Sequence, residues 1–423
     1  MPLGHGRPSD AREFANTMSP SVKRFVGISL LIVLTCNAAS DGAQGDRVFH
    51  ARYRGGGASL HEARRDDRLY PVNINNWWGH INQAGNLVVF PRFDWTGYDY
   101  EGLARAVLDE RTGFINFTGN WQIEPLYVYA DRFSDSHAIV GDGRKFGFIN
   151  TEGRRIAHMQ FDGALRFSDG LAAVRIDDRC GFIDKTGRIV IPLRYARVRS
   201  FKNGTAVAQL PGQSSRSGMI TVIDKTGQTL FADEQRQFQH MGDFSEGMAR
   251  VSVNRKWGFI DREFNIAIEP AYDEARDFYA GLAAVRVQTR WGYIDQEGKM
   301  VIPPQFEYAG DFSEVMALVK SEGRFGFINR VGRFSIPLQF NEAEPFFRNY
   351  ARVSQEPNFG YVNVVGQVIW DPRAPIDQIT DGEAAARGIN RTVQPPRWRE
   401  PIARPYPLEH QYVPELPQPD RHN

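Results

Sequence analysis

The feature that most constrains this fold is a phrase that recurs along the chain. "KWGFIDREFNIAIEP" begins at Lys256, "RWGYIDQEGKMVIPP" follows at Arg290, and "CGFIDKTGRIVIPL" precedes both at Cys180. Aligned on the glycine of the phrase, nine copies lie 34, 34, 34, 40, 37, 34, 34 and 34 residues apart. The aligned residues are Gly79, Gly113, Gly147, Gly181, Thr221, Gly258, Gly292, Gly326 and Gly360. A fixed period of this length predicts a repeat architecture.

Each position of the unit has its own physical role. The residue before the glycine is mostly large and apolar, as a core-facing strand position requires, and Cys180 in that column is predicted to be a small buried hydrophobe. Three residues after the aligned position the chain has Asp or Asn, and a second glycine usually follows three residues later. This spacing predicts a hairpin turn rather than a metal ligand. Phe264 replaces that glycine once, so its hairpin should use another turn type or carry strain.

The strands of a unit follow from the runs between these turns. The phrase "WGFID" is one strand, a run such as "AGLAAVRV" before it is another, and a run such as "KMVIPP" after it is a third that proline stops. A connector of about ten residues leads to the next unit. The sequence therefore predicts an all-β fold, with nine three-stranded antiparallel units over residues 69–370. We expect an open, twisted, solenoid-like stack, because the unit is shorter than the ~40–50 residues of familiar propeller blades. A closed β-propeller-like toroid is the alternative.

The motifs "KWGFID", "RWGYIDQEGKMVIP" and "FSEGMARV" resemble those of the WG-repeat (KWG-repeat) family of bacterial proteins. The resemblance spans all nine units, although Thr112, Cys180 and Ile220 replace the aromatic residue before the glycine. It implies a non-enzymatic envelope or extracellular protein used for interaction. It brings no catalytic residues with it.

Both ends of the chain differ from the repeats. Residues 1–40 are interpreted as a signal sequence region, in which Met18 is the expected first residue of the protein. Two basic residues precede the apolar run Phe25–Leu34. Cys36 is a possible lipidation site, and cleavage near Ala38 or Ala39 is the alternative. Residues 41–68 read as a flexible linker, and the proline-rich residues 371–423 as an extended, disordered tail. These features predict an exported protein of the periplasm, outer envelope or extracellular space.

Composition excludes several functions. The formal net charge is +1, which offers no general attraction for nucleic acid, and contact with a membrane is expected only through a possible N-terminal lipid anchor. The motif patterns of metalloproteases, phosphate-binding loops and serine hydrolases do not occur. We therefore expect no catalytic residues, cofactor or metal site, and a monomeric protein.

The sequence favours a non-catalytic scaffold that presents a surface to a protein or glycan partner. A structural spacer with a docking tail and a hydrolase-type enzyme with an unrecognised site are the alternatives. Longer segments at Pro211–Gly218 and in the following connector indicate either a working face or a tolerated insertion. Aromatic and Arg residues of the connectors either form a binding surface or pack between units. They are Trp95, Tyr98, Tyr127, Tyr129, Arg166 and Tyr279.

Overall fold

The structure, a computed structural model, describes residues 68–212, 218–354 and 359–371. Every regular element in this part of the chain is a β-strand, and the strands form nine antiparallel sheets, one for each repeat unit. We call the sheets blades 1 to 9 in chain order. Blade 1 has three strands among the described residues, and the other blades have four each. The predicted all-β class and the nine units are confirmed.

The strands of each blade follow one another in chain order. Blades 1 to 3 consist of Tyr70–Ile74, Trp77–Ile81 and Leu87–Phe93; Trp95–Tyr100, Leu103–Leu108, Arg111–Ile115 and Trp121–Tyr127; and Tyr129–Ala130, His137–Gly141, Phe146–Asn150 and Arg155–Phe161. Blades 4 to 6 consist of Gly163–Ala164, Leu171–Ile176, Arg179–Asp184 and Ile189–Tyr195; Arg197–Val198, Thr205–Gln209, Ile220–Asp224 and Thr229–Ala232; and His240–Met241, Ala249–Val253, Lys256–Ile260 and Ile266–Tyr272. Blades 7 to 9 consist of Glu274–Ala275, Ala283–Val287, Arg290–Ile294 and Met300–Phe306; Tyr308–Ser313, Met316–Ser321, Arg324–Ile328 and Phe334–Phe340; and Glu342–Ala343, Tyr350–Ser354, Phe359–Asn363 and Val368–Trp370.

The connector, predicted as a loop, contributes the first strand of blades 2 to 9. In blade 4 this strand is Gly163–Ala164, which pairs antiparallel with Leu171–Ile176. The single residue Asp162 joins it to the last strand of blade 3, and its Oδ2 accepts the N–H of Asp177 at 2.8 Å. The predicted three-stranded unit is therefore wrong. Two residues provide the fourth strand and one residue the crossover, so 34 residues are enough for a complete blade.

The column of Asp and Asn residues forms the predicted hairpin turns. In blade 4, Oδ1 of Asp184 accepts N–H bonds from Thr186 at 2.8 Å and Arg188 at 3.1 Å, and the glycine that ends the turn has a φ of +82°. Phe264 keeps the same turn at a φ of +66°, a conformation that costs a non-glycine residue roughly 1–2 kcal/mol. Its ring stacks on Phe231 with centroids 4.6 Å apart. Of the two expectations for this hairpin, strain is the one observed.

Neighbouring blades pack through a repeated pair of aromatic rings. The residue after the aligned glycine contacts the Phe of the next connector, as Phe182 contacts Phe201 with centroids 4.7 Å apart. Both rings are fully buried. The same pairing occurs at Phe114 and Phe133, Phe148 and Phe167, Phe259 and Phe278, Tyr293 and Phe312, and Phe327 and Phe346. Each blade therefore buries its apolar face against the next one, and Cys180 lies in the same interior at 0% exposure, as predicted.

Blade 9 meets blade 1, so the blades form a ring. The hydroxyl of Tyr361 donates to the carbonyl of Pro71 at 2.8 Å, and that of Tyr350 donates to the carbonyl of Gln83 at 3.0 Å. Contacts between the two ends of the array cannot form in an open stack. The predicted open solenoid is therefore wrong, and the alternative toroid fits: the described residues adopt a nine-bladed β-propeller arrangement.

A cluster of charged and hydroxyl side chains lies where the ring closes. Glu344 of blade 9 forms an ion pair with Arg352 and accepts a hydrogen bond from the Tyr98 hydroxyl of blade 2 at 3.3 Å. Burial raises the pKa of Tyr98 well above its usual value, so the hydroxyl remains a donor. Arg348 pairs with Asp99 at 2.8 Å. We call these five residues the seam cluster.

Four sequence predictions lie largely or wholly outside the described residues. They are the signal sequence region at 1–40 with Cys36, the linker at 41–68, the proline-rich tail at 371–423, and the centre of the Pro211–Gly218 insertion.

Two glycine substitutions should separate turn strain from contact between blades. A methyl group on Gly187 would lie 2.2 Å from the carbonyl oxygen of Ile156 in the preceding blade, whereas one on Gly170 would meet no atom within 4 Å. Both glycines have positive φ. We expect Gly170→Ala to lower the free energy of unfolding by about 1 kcal/mol and Gly187→Ala by about 2 kcal/mol or more. Urea unfolding checks this, and equal effects would contradict the packing of this turn on the neighbouring blade.

Candidate functional site

The connectors of blades 5 to 8 converge on one side of the ring. The Nζ of Lys202, on the blade 5 connector, lies 3.3 Å from the hydroxyl of Tyr279, which belongs to blade 7. Side chains two blades apart can meet only where the blades approach one another closely. We call this surface the connector rim, and it comprises Lys202, Asp243, Arg276, Asp277, Tyr279 and Asp311.

Ion pairs link the connector rim from blade to blade. Arg199 of blade 5 binds Asp243 of blade 6 through two contacts of 2.7 and 3.1 Å. Arg250 of blade 6 lies 2.9 Å from Asp277 of blade 7. These side chains are mostly buried, and a two-point Arg–carboxylate contact fixes orientation as well as charge. The pairs therefore hold adjacent connectors in register.

Three residues of the connector rim, Arg276, Asp277 and Asp311, each have a buried polar atom without a hydrogen-bond partner among the described residues. In Asp311 this atom is Oδ1, and in Arg276 it is Nε. The Arg276 guanidinium lies 5.4 Å from the Trp291 ring centre and 5.1 Å from that of Tyr308. Burial raises the pKa of Asp311 to about 6, although the Arg276 charge acts in the opposite direction. The connector rim therefore holds one carboxylate that titrates near neutral pH.

Two of the six residues considered for a binding surface belong to the core. Tyr98 and Tyr127 are each 6% exposed. Tyr98 lies in the seam cluster, and Tyr127 packs in the apolar core that joins blades 2 and 3. These two rings pack between units, as the alternative interpretation held, so they offer no ring surface to a partner.

The other four residues occupy two kinds of position in the blades. Arg166 and Tyr279 are on connectors, where Arg166 binds Asp131 at 2.7 and 3.1 Å and Tyr279 contacts Lys202. Trp95 and Tyr129 begin the first strands of blades 2 and 3, which makes them structurally equivalent. The six residues therefore do not form one surface.

An exposed apolar patch surrounds Tyr129. Leu126, Val128 and Tyr129 are 68%, 47% and 41% exposed, and we call them the 126–129 patch. Val128 is the crossover residue of blade 3, the position that Asp162 occupies before blade 4. In blade 4 the crossover acid accepts an N–H of the turn between the second and third strands. The corresponding turn of blade 3 is longer and contains its own acceptor, Asp142, whose Oδ1 accepts two N–H bonds at 2.8 and 2.9 Å. The sequence signal for this patch was the run "LYVY", in which an apolar residue replaces a crossover acid.

A groove lies on blade 6, beside the lengthened connector noted in the sequence. It has a volume of about 400 Å³ and is lined by Gln239, His240, Ser252, Arg255 and Trp257. The His240 and Trp257 rings are nearly parallel, with centroids 5.9 Å apart. The longer connector pointed to this blade and includes Gln239 and His240. The other lining residues, Ser252, Arg255 and Trp257, come from the next two strands and their turn, and sequence reasoning did not find them.

Histidine and carboxylate side chains are otherwise explained by local structure. His80 fills the buried slot that Phe182 fills in blade 4, and burial lowers its pKa to about 4, which keeps the ring neutral. Within residues 68–212, 218–354 and 359–371, no group of three His, Cys, Asp or Glu side chains could hold a metal ion. The same residues include no helix long and apolar enough to cross a membrane.

The repeats match a known family. A family model described as "WG containing repeat" matches eight times, at residues 78–111, 113–145, 146–180, 181–210, 221–257, 257–288, 291–324 and 325–356. No curated protein matches the chain. The family matches span more than half of the sequence, and the resemblance seen in the motifs is confirmed.

Solved structures resemble this chain at low sequence identity. A structure titled as the eukaryotic initiation factor has a TM-score of 0.53 at 11% identity, covering 72% of this chain and 95% of its own. BamB from Moraxella catarrhalis gives 0.36 at 14% identity, with 72% and 90% covered. The dihydro-heme d1 dehydrogenase NirN gives 0.41 at 11% identity, with 86% of each chain covered. At such identities the first of these supports the fold alone.

Proposed function

The chain belongs to the WG-repeat family, and from that premise we propose that it is a non-catalytic scaffold of the cell envelope. Its ring holds the 126–129 patch in a fixed position, and the patch binds a protein partner. Export through the N-terminal region, with or without lipidation at Cys36, is part of the proposal.

The observation that carries this proposal is the 126–129 patch. Blade 3 exposes three neighbouring apolar side chains at a place where blades 4 and 7 have a crossover acid, Asp162 and Asp273. Water contact with this surface is unfavourable by roughly 25 cal/mol per Å² of apolar area, so covering it releases free energy. Exposed apolar surface on a soluble protein is a feature of interaction sites.

The rigidity of the ring supports a role in presentation. Seven of the eight crossovers are one residue long, and side-chain hydrogen bonds tie successive connectors together, as when Oδ2 of Asp135 accepts the N–H of Gly170 at 2.7 Å. A surface that is already ordered loses little conformational entropy when a partner binds. The connector ion pairs, including Arg166 with Asp131, contribute to that order rather than to the binding surface.

Replacing Val128 with Asp should abolish partner binding and leave the fold intact. The side chain is 47% exposed, so an acid is tolerated there as it is in other blades, but it places a charge inside the apolar interface. We expect the amount of partner recovered by crosslinking from native envelope to fall by at least tenfold. The thermal unfolding midpoint should stay within about 2 °C of the parent.

The matched control is Val331→Asp, because Val331 is 68% exposed in a turn of blade 8. A photo-crosslinker placed at Tyr129 should label the partner, and one placed at Val331 should not. Equal labelling from both positions would contradict the proposal. Partner capture that is lost only when the chain ends at Trp370 would favour the spacer with a docking tail.

A further inference from the structure

The groove on blade 6 is separate from the 126–129 patch. It lies at one end of the sheet, where the first strand, the second strand and the turn before Lys256 meet. Its volume of about 400 Å³ falls in the range of small-ligand sites, which is roughly 300–1,000 Å³.

Blade 7 shows how the same place is closed elsewhere in the ring. There Glu274 and Arg286 face each other on paired strands and form an ion pair at 2.6 Å, next to the crossover residue Asp273. In blade 6, strand pairing places His240 where blade 7 has Glu274, and Ser252 where it has Arg286. Gln239 corresponds by chain position to Asp273. Blade 6 thus has no carboxylate at these three positions and has one short side chain, which opens the groove and removes its negative charge.

The groove is rich in hydrogen-bond donors. Oε1 of Gln239 accepts the N–H of Arg255 at 3.0 Å and the hydroxyl of Ser252 at 3.4 Å. The Gln239 amide group, the Arg255 guanidinium and the His240 ring supply the donors, and none of the five lining residues is acidic. A ligand that satisfies this set carries negative charge and several oxygen acceptors.

The aromatic residues favour a hydroxylated ligand such as a saccharide over a planar aromatic ligand such as a nucleobase. The His240 ring already stacks on Trp257, and the Arg250 guanidinium lies 5.4 Å from the centre of the same indole. The indole is therefore engaged within its own blade, and a nucleobase would find no free pair of rings to stack between. A saccharide can bind through its hydroxyls and the outer edge of these rings.

We propose that the blade 6 groove binds an acidic saccharide, a pyranose that carries a carboxylate. The Arg255 guanidinium pairs with the carboxylate, and the Gln239 amide and His240 ring donate to ring hydroxyls. Charge-assisted pairs of this kind are about twice as strong as neutral hydrogen bonds. This site is additional to the proposed protein-binding patch and does not depend on it.

Isothermal titration of the full chain with trigalacturonate tests this proposal. We expect binding at millimolar or lower concentration, and affinity at least tenfold weaker for the trimer whose carboxylates have been reduced to alcohols. Arg255→Gln should weaken trigalacturonate binding by at least tenfold. Arg188→Gln, which changes an exposed Arg of blade 4, should leave it unchanged.

A second variant keeps the test independent of folding. The double substitution His240→Glu with Ser252→Arg copies the ion pair of blade 7, so the blade should fold and the groove should fill. Loss of trigalacturonate binding with an unchanged thermal midpoint is expected. Retained binding in this variant, absence of trigalacturonate binding to the parent, or tighter binding of inorganic phosphate or AMP would each overturn the proposal.

Discussion

Replacing Glu344 with Ala is expected to lower the free energy of unfolding by about 3–5 kcal/mol, because it leaves the Arg352 charge without its partner in a mostly buried site. The two side chains are 8% and 22% exposed and form a direct ion pair. The substitution also removes the acceptor of the Tyr98 hydroxyl, which comes from the other end of the array. Urea unfolding followed by fluorescence measures the loss.

Glu152→Ala is the matched control for this experiment. Glu152 and Arg154 form a pair at 3.5 Å with side chains that are 57% and 78% exposed, so the loss should be below about 0.5 kcal/mol. Comparable losses from both substitutions would contradict the burial of the seam cluster.

A double-mutant cycle turns the same site into a test of ring closure. Tyr98→Phe and Glu344→Ala should show a coupling energy of about 1 kcal/mol, because the two groups share a hydrogen bond of 3.3 Å. They are 246 residues apart in sequence, and an open stack would keep them apart in space. Zero coupling would therefore contradict this contact between the two ends of the array.

The repeat, the hairpins and the buried columns could be predicted because they depend on local chemistry. Asp184 with Gly187 encodes a turn wherever it occurs, and the spacing of 34 residues repeats the same local choices. The short first strand could not be predicted, because two residues such as Gly163 and Ala164 carry no periodic signal. Ring closure depends on the angle between successive blades, which no single unit encodes.

The polar residues of the seam offered the one available clue to closure. Asp99 occupies the slot that Phe133 fills in the next blade, and His80 occupies the slot of Phe114. Such replacements are costly inside a stack of identical units, because each buries a polar group in an apolar pair. The Asp99 replacement becomes understandable because Arg348 of the last blade binds Asp99 at 2.8 Å, whereas Nε2 of His80 lies 2.9 Å from the carbonyl oxygen of Gly97 in the adjacent blade. Departures from a repeat consensus can therefore indicate contact between the ends of an array.

The candidate sites were only partly accessible from the sequence. Aromatic and Arg residues of the connectors looked equivalent in sequence, yet Tyr127 is buried, Arg166 is paired with Asp131, and Tyr129 is exposed. What separates them is the neighbour that each side chain meets in the adjacent blade. Val128 was detectable in principle, because the crossover column is acidic before blades 4 and 7 and apolar before blade 3.

Replacing Asp311 with Asn is expected to stabilise the protein at pH 7 by about 2–3 kcal/mol, with no gain at pH 4. The pKa of this carboxyl rises from 3.8 to about 6 on folding, chiefly through burial. Between these values the folded protein binds more protons than the unfolded chain, so stability from this group is lost as pH rises through about 6. Asn keeps the shape of the side chain and removes the charge, so the gain should grow as pH rises from about 4 to about 6 and level off above that.

Urea unfolding of the parent and the variant between pH 4 and pH 7.5 measures this difference. The neutral His80, with its pKa of about 4, makes the stability of both proteins fall toward acid pH, and this effect cancels in the comparison. Asp184→Asn is the control, because hydrogen bonds from Thr186 hold the pKa of that carboxyl below its usual value. An Asn is compatible with this turn, since Asn150 accepts the equivalent N–H bond in blade 3. It should give no gain at pH 7. A gain for Asp311→Asn that is equally large at pH 4 would show that relief of charge is not its cause.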